Sequence, residues 1–79
     1  MVVIAEFTIE PFVEGAPGVH VQAALDAVRS AGLEPEMGPF GSSVQGEVTV
    51  VSRAFTELVT AAMAAGATRV SVQVSVADG

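Results

Sequence analysis

The chain has 79 residues, 51% of them hydrophobic, and sets nine acidic residues against three arginines for a formal net charge of −6, with no cysteine. Such a length closes one apolar core, disulfide staples and thiolate metal sites are excluded, and self-association is the stabiliser left available. The negative field repels phosphate backbones and favours cations, which removes nucleic acid as an expected partner; no apolar run approaches the ~20 residues that span a bilayer, and no basic leader is present, so a soluble cytoplasmic protein is expected.

Val3, Ala5, Phe7 and Ile9 alternate with Ile4, Glu6, Thr8 and Glu10. This period of two predicts a strand with one buried and one wetter face. Pro11 cannot donate to a ladder and closes it, and Glu14 to Gly18 is loop by composition. From Val19 the period changes: Val21, Ala24, Leu25 and Val28 fall on one stripe of a helix, which Gly32 stops with a left-handed cap. Asp26 and Arg29, three apart, form a surface pair on its flank.

Leu33 to Met37 is predicted as a short strand, held to a sheet edge by Pro35 and guarded there by Glu34 and Glu36. It runs into a Gly38-Pro39 turn. A third strand is predicted from Ser43 to Val51, with Val44, Gly46, Val48 and Val50 on one face and Ser43, Gln45, Glu47 and Thr49 on the other. Ser52 then serves as N-cap for a second helix with Phe55, Leu58, Val59, Ala62 and Met63 as its apolar stripe, ending at Gly66. Arg69 leads into a last strand, where Val70, Val72, Val74 and Val76 alternate with Ser71, Gln73 and Ser75.

Strand, helix, strand, strand, helix, strand, with two helix-length crossovers and one tight hairpin, is the ferredoxin-like βαββαβ pattern of the α+β class in a single domain. Right-handed crossovers put both helices on one face of a four-stranded antiparallel sheet. The other face is left open, and parity gives it Glu6, Thr8 and Glu10 from the first strand and Ser43, Gln45 and Glu47 from the third. Glu36, Ser71, Gln73 and Ser75 flank them.

Two readings of that face are open. A solvated side of an antiparallel sheet is polar in any case; alternatively, carboxylates gathered without a lysine repel one another, and a cation or cationic ring relieves that cost. Metal binding is the weaker version, because hard cations collect oxygen ligands in loops. His20, the single histidine, is expected as a surface or capping residue. It lacks the second partner that would activate Ser42 or Ser43, and there is no phosphate-cradling loop. The stacking aromatics of RNA-binding sheets are also missing from the open face. Phe12 and Phe40, at a strand end and a turn, are expected at the rim.

The run Glu36-Met37-Gly38-Pro39, then Ser42-Ser43-Val44-Gln45-Gly46-Glu47, after a first strand ending near Glu10-Pro11, resembles the YkoF-like group of small thiamine-binding proteins. Their hairpin reads Tyr-Glu-Val-Gly-Pro and then Thr-Thr-Val-Glu-Gly-Glu. The resemblance implies a non-enzymatic binder of thiamine or its hydroxymethylpyrimidine moiety, assembled as a dimer or dimer of dimers, with no catalytic residues and no metal. It marks Glu36, Gly38, Pro39, Ser43, Gly46 and Glu47, with Ser42 in place of the first threonine and Gln45 in place of a glutamate; Thr8 joins them from the neighbouring strand. Pro35 stands where the group has tyrosine, and relatives continue into a further helical segment beyond Gly79. Gly38 and Gly46 also have ordinary roles, in a turn and in helix packing. The alternative function is an interaction module whose open sheet serves self-assembly without a ligand.

Overall fold

The computed structural model describes residues 1–12, 18–38 and 41–77. Its elements are β1 (Val2–Glu10), α1 (Val19–Ser30), β2 (Glu36–Gly38), β3 (Gly41–Glu47), α2 (Val48–Ala64) and β4 (Arg69–Val76). The four strands form one antiparallel sheet in the order β2-β3-β1-β4. The ferredoxin-like topology predicted from the element order is the one observed.

The core lies between the sheet and the two helices. Val3, Ala5, Phe7 and Ile9 of β1 and Val44 of β3 are buried under Ala24, Leu25 and Val28 of α1 and Val51, Ala54, Phe55, Leu58 and Ala62 of α2. Phe7 and Phe55 meet edge to face, with ring centroids 5.2 Å apart, the arrangement favoured by the ring quadrupoles. Gly46 belongs to this side: a Cβ there would lie 2.9 Å from Leu33 Cδ2 and 3.6 Å from Val51 Cγ2. It is a packing position.

Both helices stop where glycine permits a left-handed residue, Gly32 at φ +89° and Gly66 at φ +105°, as expected. Asp26 and Arg29 pair at 3.8 Å. The boundaries around β3 differ from the prediction. That strand ends at Glu47, and Val48 to Val51 form the first turn of α2. Ser52 is therefore inside the helix, and Glu47 occupies the N-cap position without a side-chain cap bond. Valine favours strands, but burying Val51 on the stripe of Ala54, Phe55, Leu58 and Ala62 requires the helix to begin early, and packing overrides propensity. Val59 and Met63, expected in the stripe, are exposed instead.

The second strand is shorter than predicted. Leu33 is buried and Pro35 precedes the ladder, so only Glu36 to Gly38 pair with β3. β4 departs in burial. Register places its valines on the helix side, opposite Val3, Ala5, Phe7 and Ile9, yet Val72, Val74 and Val76 are 37%, 55% and 62% exposed. The helices cover the centre of the sheet and leave this edge bare.

Candidate functional site

Alternation along neighbouring antiparallel strands aligns one transverse row across the open face: Gln73 pairs with Glu6, Glu6 with Ser43, and Ser43 with Glu36. A second row sets Ser71 opposite Thr8. Gly41 closes that row at the hairpin, where an added Cβ would stand 2.9 Å from the Phe7 carbonyl oxygen and 3.0 Å from Thr8 Cγ2. A larger residue would lift the start of β3 away from β1. Together the rows border an open hollow of about 500 Å³, within the range of small-molecule sites.

The hollow is electrostatically one-sided. Glu6 and Glu36 flank Ser43 on the strands either side of it, which sets their Cα atoms about 10 Å apart on the ~4.8 Å strand spacing. Both are exposed. Among the described residues the ion pairs engage Asp26, Glu34, Glu10 and Glu47, and neither Glu6 nor Glu36. Thr8, Ser43 and Ser71 bring hydroxyls that donate or accept, and Gln73 brings an amide that does both. Such a surface can hold a flat cationic or amino-bearing ring between two carboxylates. Among the described residues no group of three histidine or acidic side chains is placed to hold a metal ion.

Of the residues named from sequence, Thr8, Glu36, Gly38, Ser42 and Ser43 border the hollow. Ser42 does so from the other side of the pleat, since its register partners are Phe7 and Met37. Gln45 and Glu47 share the open side with Ser43, opposite Ile4 and Val2, but lie outside the hollow. Glu47 is about 13 Å along the strand from Ser43, and its two carboxylate oxygens accept from the Met1 ammonium at 2.9 and 3.1 Å. Pro39 and Phe40 lie outside the described residues. Phe12 is exposed after the end of β1.

His20 differs from expectation. It is only 8% exposed, and its Nε2–H donates to the Pro11 carbonyl at 2.6 Å, because the chain leaving β1 passes over the first turn of α1. That contact tethers the start of the helix to the end of β1. Sequence reasoning left Glu6, Ser71 and Gln73 off the ligand set, although all three border the hollow. The parity of β1 and β4 is the signal that points to them.

Solved structures share the fold at low identity. A protein of unknown function from Bacillus cereus is 23% identical at a TM-score of 0.68, over 94% of this chain and 72% of that one. A hypothetical protein from Methanocaldococcus jannascii is 23% identical at 0.69, over 99% and 80%. A Thermotoga maritima protein described as a candidate in thiamine biosynthesis or salvage is 22% identical at 0.58, over 95% and 81%. A comparison with curated proteins finds no match. The profile of the family described as thiamine-binding protein matches residues 5–78, nearly the whole chain, and the protein belongs to that family.

Proposed function

We propose that this protein binds thiamine, or the hydroxymethylpyrimidine moiety of thiamine, in the acidic hollow of its open sheet face, without catalysing a reaction. The observation that carries this reading is the row Glu6, Ser43, Glu36 in a chain of the thiamine-binding family. Thiamine joins a permanently cationic thiazolium to an aminopyrimidine. A carboxylate attracts the first and accepts from the amino group of the second, while the Ser43 and Thr8 hydroxyls serve ring nitrogens. The Thermotoga neighbour's link to thiamine biosynthesis or salvage supports the same ligand class.

The proposed contacts are Glu36, Gly38, Pro39, Ser42, Ser43 and Thr8, together with Glu6 and Gln73. Gln45 and Glu47 lie on the same face outside the hollow. Association into a homodimer or homotetramer, in the cytoplasm, belongs to the same reading, since an open sheet needs walls to become a closed pocket. Among the described residues no helix is long and apolar enough to cross a membrane. Calorimetric titration with thiamine and with hydroxymethylpyrimidine tests the proposal: saturable heat with either supports it, and no heat and no thermal shift at millimolar ligand contradicts it.

The competing reading, an interaction module whose open sheet face serves self-assembly without a ligand, predicts no heat with either compound in the same titration.

A further inference from the structure

Where the arginines of this chain lie decides which form of a ligand the hollow can take. In these 79 residues there is no lysine, so Arg29, Arg53 and Arg69 are the full set of permanently charged cationic side chains. Arg29 lies in the last turn of α1, where it pairs with Asp26 at 3.8 Å and Glu34 at 4.0 Å. Arg53 is exposed on α2, and both helices pack on the far side of the sheet. Arg69 alone shares the open face, opposite Glu10 in the register. Its guanidinium pairs with that carboxylate at 3.9 Å. The Glu10–Arg69 row lies two residues beyond Thr8 and Ser71, about 7 Å along the strands, and outside the hollow. His20, buried at the start of α1, is outside it as well.

Phosphate groups are held by arginine or lysine, or by the N-terminus of a helix, whose free N–H groups and dipole favour negative charge. Among the described residues, all that border the hollow belong to strands. No helix N-terminus among them opens into it. What the hollow offers instead is the carboxylates of Glu6 and Glu36, on either side of Ser43, with the hydroxyls of Thr8, Ser43 and Ser71, which suit an alcohol whether it donates or accepts.

We infer that the hollow takes its ligand as the free alcohol and rejects the phosphate ester of the same molecule. Thiamine ends in a hydroxyethyl group and hydroxymethylpyrimidine in a hydroxymethyl group, so each has one hydroxyl at which a phosphate can be attached. A phosphomonoester carries about −1.5 to −2 charges at neutral pH, which makes the thiamine ester net negative and turns attraction by Glu6 and Glu36 into repulsion. With the phosphate ~8 Å from each carboxylate, the repulsion amounts to about tenfold in affinity at ~0.01 M ionic strength and about fourfold at ~0.15 M, where screening is stronger. Glu10 adds to the selection, because it occupies the one arginine on this face.

This inference rests on the proposed ligand, and its test separates the two. The full chain is titrated calorimetrically with thiamine and thiamine monophosphate, and with hydroxymethylpyrimidine and its phosphate, at about 10 mM and about 150 mM salt. The expected result is that each ester binds more weakly than its alcohol, by about tenfold at the lower salt and about fourfold at the higher. In the double variant Glu6→Gln with Glu36→Gln, alcohol and ester should come within about twofold of each other, while circular dichroism keeps the fold.

An ester that binds as tightly as its alcohol or more tightly, as Arg69 swinging away from Glu10 would produce, overturns the inference and leaves the thiamine reading standing. A gap that ignores salt and persists in the double variant also overturns it, since shape rather than charge would then make the choice. Silence from all four compounds overturns the proposed function together with this inference.

Discussion

Neutralising the two carboxylates of the hollow separates a cation site from an ordinary wet sheet face. A thiazolium held over Ser43 sits midway between Glu6 and Glu36, about 5 Å from each on the ~4.8 Å strand spacing. At that distance a unit charge gains about 0.8 kcal/mol per carboxylate in water-like surroundings, and screening at physiological ionic strength removes about half. Each of Glu6→Gln and Glu36→Gln should then weaken thiamine by about 2–4-fold, and the double variant by about 4–15-fold. Because the substitutions keep shape, stability should stay within about 0.5 kcal/mol, as for most surface changes. Isothermal calorimetry at low and high salt reads the effect directly. Hydroxymethylpyrimidine supplies the control: it is neutral, so the charge-dependent and salt-dependent part of the loss should be absent. A double variant that binds thiamine within twofold of the parent, with no salt dependence in either, would refute the electrostatic reasoning.

Other outcomes follow from the placement of single residues. Glu47→Gln should leave thiamine affinity unchanged in the same calorimetric assay, because Glu47 is turned to the Met1 ammonium and lies outside the hollow. Gly41→Ala should destabilise more than Gly46→Ala in urea unfolding. The first drives a Cβ to 2.9 Å from the backbone oxygen of Phe7, and the second meets the movable end of Leu33, where repacking limits the cost to about 1 kcal/mol. Leu58→Ala removes a fully buried side chain from the centre of α2. It should cost about 2–5 kcal/mol, seen as a large drop in Tm with no change in which ligand is bound.

The element order was legible from periodicity, because β1 and α1 carry clean periods that stop at Pro11 and Gly32. Legibility failed where two signals overlapped. Val48 to Val51 satisfy a strand pattern and a helix stripe at once, and the burial of Val51 with Ala54, Phe55, Leu58 and Ala62 decides between them. It failed again in β4, where alternation gave the correct face for each valine but could not tell that the helices stop short of that edge. For the site, parity put Glu6, Ser43 and Glu47 on one side, and the register agrees. Distance along the strand is what parity lacks. Glu47 and Ser43 share a face and do not share a hollow, while Glu6, from an element far away in sequence, lies next to Ser43.

The most direct test of the account is amide chemical-shift mapping of the labelled protein during a thiamine titration. The account predicts saturable shifts concentrated on Glu6, Thr8, Glu36, Ser43 and Gln73, with the buried faces of α1 and α2 nearly still. Shifts confined to the helical layer, or none at millimolar thiamine, would contradict it.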